Sequence, residues 1–416
     1  MRLTTSIPGV TSARAPAADA PPPVRGLGGQ LLSRLSRRTS SGRFIPEIDG
    51  LRFVSIALVV LFHLAGYVAL RHGIPVEGEG APTTFRILSH GHYGVQLFFV
   101  ISGFVLGLPF AAQYLGQGKA VRLRPYFVRR LTRLEPPYVL SMLLLAPAAV
   151  VVSGVPPREI LPHLLASLAY LHNAVYQAGS LVNSVAWSLE IEVQFYVLAP
   201  LLAAAAFRWH RSVLRRGALL TACIVAITLQ VTWMRNVPAL TLASFVQFFL
   251  LGFLLADLYT TDWTRPSERQ GAWDALWLAC WPLLWMAWEA PRAVSAFAFP
   301  AVILAFFAAS LRGRWSRAAL SNPWVVTIGG MCYTIYLLHY PLISLLGRVT
   351  ARLGIGGAAA DLLVQSALIL PPLLAICAVY FALVERPCMD PAWPARLRAW
   401  LSARIHPRQD LAEPAR

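Results

Sequence analysis

Charge is scarce in this chain: Asp, Glu, Lys and Arg make up 13% of its 416 residues, against about a quarter in an ordinary soluble domain. A single water-soluble core of this size is excluded, and with 57% hydrophobic residues disorder is confined to the ends. Lysine is nearly missing; Lys119 is the only one, so the basic residues are arginines. Cysteine is sparse too. Cys223, Cys280, Cys332, Cys377 and Cys388 form no CxxC pair and read as small core residues, with neither a disulfide frame nor a metal site expected. No GxxxxGK[ST], HExxH or GxSxG segment occurs, which leaves phosphate-loop NTPase, zincin and serine-hydrolase chemistry without support.

Long apolar runs fill the space that charge vacates. A hydrocarbon core of about 30 Å takes about 20 apolar residues per helix. Ten stretches qualify: 51–70, 92–110, 137–155, 185–207, 217–234, 239–259, 272–288, 294–311, 325–347 and 361–384. The expected fold is therefore all-α, a polytopic membrane protein of ten transmembrane helices with both termini cytoplasmic. Residues 159–172 are apolar but short and are expected to form an interfacial or re-entrant helix. The Pro136–Pro137 pair is expected to mark a helix start, where the missing amide is tolerated. Residues 1–43, rich in Pro, Ala, Ser and Arg, are expected as a disordered basic tail without a secretory signal. Residues 44–388 form the membrane domain and 389–416 a cytoplasmic tail too short for a folded soluble partner.

The net charge of +17 tests this map. The segments it places inside carry 29 of the 36 basic residues, as the positive-inside rule demands. Counting 159–172 as a further span would move the arginines at 208–216 outside and invert all that follows. The basic excess is thus topological, and no nucleic-acid partner is expected; membrane lipids are.

Ionisable groups inside a bilayer are costly and mark candidate sites. His63 lies about 16 Å along its helix from Arg52, and Ser102 about 15 Å into the second span, so the two can share a level. Glu192 and His339 fall within about 10 Å of the outer boundary by the same rise. Each also admits a packing role. Glu190 and Glu192 lie about 200° apart around a helix, so only one can face a common site. Arg130 and Arg133, three apart in RPYFVRRLTRLEPPY, face one way if helical. Such a pair suits bidentate phosphate recognition or lipid-headgroup anchoring.

Together these motifs resemble the integral-membrane acyltransferase family 3, which modifies sugars, lipids and secondary metabolites. EIDGLRFVSIALVVLFH holds Arg52 and His63; GVQLFFVISGF holds Ser102; RRLTRLEPPY holds Arg130 and Arg133. WSLEIEVQFY holds Trp187, Glu192 and Tyr196, YTIYLLHYP holds Tyr336 and His339, and VERP holds Glu385 and Arg386. One departure stands out: many members carry an acidic residue where this chain has Gln96, which leaves the orienting partner of His63 open.

The resemblance implies transfer of an acyl group, commonly acetyl, from an acyl-CoA donor to a hydroxyl of a cell-surface glycan, lipid-linked sugar or metabolite. His63 would be the general base, its imidazole matched to neutral pH, with Glu192 a second catalytic group. Arg52, Arg130 and Arg133 would hold the donor phosphates and Ser102 its arm. Ser102 is also the candidate nucleophile of an acyl-enzyme route. Gln96, Tyr196 and His339 would contact the acceptor, Glu192 and His339 pairing with one another as one possibility. Arginine in place of lysine, with abundant Ala, Gly and Pro, points to a GC-rich bacterial genome and hence the cytoplasmic (inner) membrane. The competing class is a secondary transporter for a sugar or metabolite, which would show an internal repeat that this sequence lacks.

Overall fold

The computed structural model of the chain describes residues 26–37, 44–78, 80–116, 118–233, 240–354 and 356–405. These are helical throughout, with no strand among the described residues. The helices are α1 (Leu27–Leu35), α2 (Pro46–His72), α3 (Thr83–Ser89), α4 (Gly94–Tyr114), α5 (Leu123–Ser153) and α6 (Pro157–Leu168). Next come α7 (His172–Tyr176), α8 (Trp187–Phe207), α9 (Ser212–Thr232), α10 (Val246–Thr261), α11 (Gln270–Glu289) and α12 (Arg292–Arg312). The last six are α13 (Trp315–Leu320), α14 (Pro323–Gly330), α15 (Cys332–Thr350), α16 (Ala358–Tyr380), α17 (Arg386–Cys388) and α18 (Trp393–Ile405).

Seven helices, those led by α2, α4, α5, α8, α9, α12 and α16, are long and apolar enough to cross a membrane. The pair α14 and α15, bent by 71° at Gly330–Cys332, makes up to eight. Large apolar side chains such as Leu201, Val213, Leu363 and Leu383 stand exposed on these helices, as lipid-facing surfaces do and water-facing ones do not. The chain is a multi-pass membrane protein.

By length and composition seven to eight helices qualify where ten were expected, and α10 and α11 are the two that fall short, for identifiable reasons. Helix α10 has only 16 residues, or about 24 Å, and residues 247–257 along it are buried without interruption. It is a central helix wrapped by protein rather than lipid. Helix α11 carries Trp273, Trp277, Trp281, Trp285, Trp288 and Asp274, which lower its mean hydropathy. Residues 159–172 give the short helix α6 and the start of α7, not a span.

Two prolines expected at a helix start lie inside one: α5 begins at Leu123, and Pro136 and Pro137 sit mid-helix. A proline strands the carbonyl four residues earlier, and membrane helices tolerate this when a neighbour takes that carbonyl. Here the indole of Trp393 donates to the Thr132 carbonyl at 2.9 Å, four before Pro136. Tyr126 donates to the Tyr196 carbonyl at 3.1 Å, four before Pro200. Asn183 donates to the Leu337 carbonyl at 2.9 Å, four before Pro341.

The expected tail 1–43 also differs in part. Residues 27–35 form α1, whose Leu32 is buried. Leu27, Leu31 and Leu35 recur at helical spacing around it. In the C-terminal tail, 393–405 are helical. The remainder of both tails, 1–25, 38–43 and 406–416, lies outside the described residues.

The buried apolar residues form two clusters, one built on α4, α8, α10 and α12 and the other on α2, α5, α15 and α16. Helices α2 and α8 contribute to both, Leu51 and Ile191 to the first and Leu64 and Leu189 to the second. The candidate residues lie on these shared helices and their neighbours. Helix α4 meets α10 at its closest approach through glycine. A Cβ on Gly103 would lie 2.2 Å from the Phe249 carbonyl oxygen, and one on Gly252 2.4 Å from the Phe104 amide, the small-residue contact that brings membrane helices together.

Candidate active site

Helix α2 carries His63 about three turns past Arg52, and α15 brings His339 against it. The His63 Nδ1 lies 2.9 Å from the Val59 carbonyl and 3.2 Å from His339 Nε2. His339, fully buried, sets its own Nδ1 at 3.0 and 2.8 Å from the carbonyls of Ile335 and Tyr336. A carbonyl only accepts, so both rings carry their proton on Nδ1, a tautomer assigned from the network. The His63 Nδ1–H then donates to Val59 and to the lone pair of His339 Nε2. What remains on His63 is the Nε2 lone pair, which no group among the described residues engages. Phe62, Tyr340 and His339 edge the ring at centroid distances of 4.8, 5.0 and 5.0 Å, fixing its plane.

A second cluster forms where α4 crosses α8. The Ser102 hydroxyl donates to the Glu192 carboxylate, and Tyr196, one turn on, also hydrogen-bonds Glu192. The guanidinium of Arg130 lies 3.9 Å over the Tyr126 ring and 5.4 Å from the Tyr196 ring centroid. Arg130 and Arg133 share a face of α5, and among the described residues neither has a carboxylate within ion-pair distance. The Nε of Arg133 is buried without a partner.

Arg52 is placed differently from Arg130 and Arg133, because Asp49, one turn earlier on α2, takes its guanidinium in an ion pair. Its charge is largely answered within the protein. Gln96 is also placed differently from expectation. With its amide oriented to satisfy its hydrogen bonds, Nε2 donates to the carbonyls of Tyr93 (3.2 Å) and His92 (3.0 Å). This amide at the start of α4 thus donates to its own turn, and among the described residues no hydrogen bond joins it to His63. The orienting partners of His63 are instead His339 and Val59.

The two glutamates of α8 part company as their spacing requires. Glu190 accepts from the Asn173 amide at 2.8 Å, closing α7 onto α8, while Glu192 faces Ser102. The expected Glu192–His339 pairing does not form: each meets a residue of the other presumed level. The Tyr336 hydroxyl donates to the Val185 carbonyl at 2.6 Å and receives from Ser188 at 3.1 Å, locking α15 to the entry of α8. Asn183 and Tyr126 were not legible from motif spacing, since each acts on a carbonyl remote in sequence. Asp49 also went unread, although its place three before Arg52 on one helix is a signal that could have found it.

An acyltransferase domain, that of acyltransferase family 3, matches residues 45–384. A Staphylococcus aureus (strain COL) protein named "Putative O-acetyltransferase" is 22% identical over 358 residues, covering 73% of this chain and 51% of its own length. The "Peptidoglycan O-acetyltransferase OatA" of Listeria monocytogenes is 26% identical over 186 residues, 41% of this chain and 26% of its own length. The chain thus spans about half the length, or less, of these relatives. No solved structure matches it. With the family's domain matched from the first membrane helix to the last, the chain belongs to the acyltransferase 3 family.

Proposed function

We propose that this protein is a membrane O-acyltransferase that moves an acyl group, acetyl in the first instance, from a coenzyme A thioester to a hydroxyl group. The relative named as a peptidoglycan O-acetyltransferase favours a cell-surface glycan or its lipid-linked precursor as acceptor over a secondary metabolite. One observation carries the proposal: the His63 Nδ1 proton is committed, while its Nε2 lone pair is unengaged among the described residues. That is the state a general base requires.

In the proposed reaction the acceptor O–H gives its proton to His63 Nε2 as its oxygen attacks the thioester carbon. The C–S bond then breaks, and the departing thiolate takes the proton back from the imidazolium. His339 Nε2 and the Val59 carbonyl accept from Nδ1–H throughout, steadying the charge that His63 acquires. Arg130 and Arg133, without carboxylate partners, offer their guanidinium forks to the donor phosphates. Ser102 donates its hydrogen bond to Glu192 and not to a histidine, which favours direct transfer over an acyl-serine; Glu192 and Tyr196 position the acceptor or the donor arm. The unit at 44–388 would cross the bacterial inner membrane ten times with both ends cytoplasmic, so that donor enters from inside.

The test is to incubate membranes holding the protein with acetyl-labelled acetyl-CoA and a hydroxylated glycan. The expected result is alkali-labile label on the acceptor with stoichiometric release of free CoA. Label that crosses the membrane without ester formation or CoA release would favour a transporter and overturn the proposal.

A further inference from the structure

The chain ahead of the acyltransferase domain supplies a guanidinium to the same electrostatic neighbourhood. Helix α1 lies with Gly28 beside the Trp324 ring and Leu32 buried. Just beyond it, Arg386 donates to the Ser36 carbonyl at 3.2 Å. These contacts deliver Arg37 to the bend between α14 and α15, where a Cβ on Gly330 would lie 3.4 Å from that of Arg37. There Arg37 Nη1 is 3.6 Å from Asp49, the carboxylate already paired with Arg52. Its Nε, like that of Arg133, is buried and has no partner.

The cluster holds more positive than negative charge. Arg37 feels the charges of Arg52 and Arg133, and Arg133 in turn that of Arg130. Asp49 is shared by two of them, and Glu385, whose Oε2 accepts from Thr334 at 2.6 Å, leaves Oε1 unpartnered. Burial first, and then the guanidinium of Arg52, push Arg37 down to about 9 from an ordinary 12.5. Crowded, partly desolvated cations of this kind are stabilised by a multivalent anion.

We propose that Arg37 is a donor-binding residue: it joins Arg130 and Arg133 in holding the phosphates of the coenzyme A thioester, so the arm that carries it completes the donor site. This rests on the acyl-CoA donor assigned above. A single carboxylate between two guanidiniums, with the Nε–H of Arg37 unused among the described residues, leaves Arg37 able to take a phosphate oxygen without breaking α1 from its seat.

The experiment uses the full chain in nanodiscs, with acetyl-CoA as donor and a soluble hydroxylated glycan as acceptor. Arg37→Gln, Arg37→Lys and the Arg130→Gln, Arg133→Gln double variant are compared, and binding of CoA itself is measured without turnover. Loss of one charge-assisted contact is expected to raise the donor KM and the Kd for CoA about 10-fold for Arg37→Gln. Its kcat and acceptor KM should stay within about two-fold, and Arg37→Lys should recover most of the binding. If the double variant loses donor affinity and Arg37→Gln does not, the assignment of Arg37 falls while the donor site stands. If every variant transfers acetyl with unchanged donor KM, the donor site and this inference both fall. Equal loss of folded protein with Gln and Lys, at unchanged donor KM, would make Arg37 structural and overturn the proposal.

Discussion

Replacing His339 by leucine removes the one side-chain acceptor that faces the Nδ1–H of His63. The site is fully buried, and leucine fills much of the imidazole volume without asking for a hydrogen bond. In the resting enzyme the lost contact joins two neutral rings, worth about 1 kcal/mol. In the transition state the donor is an imidazolium, and hydrogen bonds to charged groups are worth about 1.5–3 kcal/mol. The difference falls on kcat. That difference is about 0.5–2 kcal/mol, which at about 1.36 kcal/mol per decade amounts to about 2- to 30-fold, the Val59 carbonyl at 2.9 Å still accepting from the same proton. Glutamine, which can present an oxygen to the same proton, should lose less than leucine. The assay is kcat at saturating donor and acceptor on purified protein, with thermal unfolding in detergent as the check on folding. A leucine variant that is folded and turns over at the parent rate would refute the partnership.

Three further expectations follow from particular contacts. Ser102→Ala should slow transfer about 10-fold by removing one of the two donors to Glu192, and mass spectrometry of the parent under turnover should find no acetylated Ser102; complete loss with a trapped acyl-serine would replace direct transfer with a covalent route. Gly103→Ala sets a Cβ at 2.2 Å from the Phe249 carbonyl, so α4 and α10 must separate, at a cost of about 1–3 kcal/mol; an unchanged unfolding temperature would show that the helices do not meet there. Asn183→Ala strands the Leu337 carbonyl that Pro341 leaves free, costing about 1–3 kcal/mol, and adding Pro341→Ala should restore stability by returning an amide to that carbonyl; failure of the rescue would contradict the capping.

Apolar run lengths made the helices legible, because a membrane helix must satisfy its backbone within itself; the Pro136–Pro137 pair misled, because a neighbouring side chain takes the carbonyl it strands. Membership of the packed interior was less so. Hydropathy does not distinguish α10, sheathed in protein, from a lipid-facing span, and the tryptophans of α11 blur it further. The site residues were legible as types and depths. Depth alone suggested His63 with Ser102 and Glu192 with His339, yet the helices join His63 to His339 and Ser102 to Glu192. Equal depth does not make neighbours; packing of α2 on α15 and of α4 on α8 does. Arg37 had no motif at all, only the leucine spacing of α1 just before it.

The direct test of the account is the rate of acetyl transfer by His63→Gln in proteoliposomes, measured beside the parent at equal folded protein. Glutamine can hold a hydrogen bond but cannot take a proton at neutral pH, so transfer should fall by about 10²- to 10⁴-fold while CoA still binds. Transfer at the parent rate would mean that the imidazole of α2 is not the base, and the proposed chemistry would have to be abandoned.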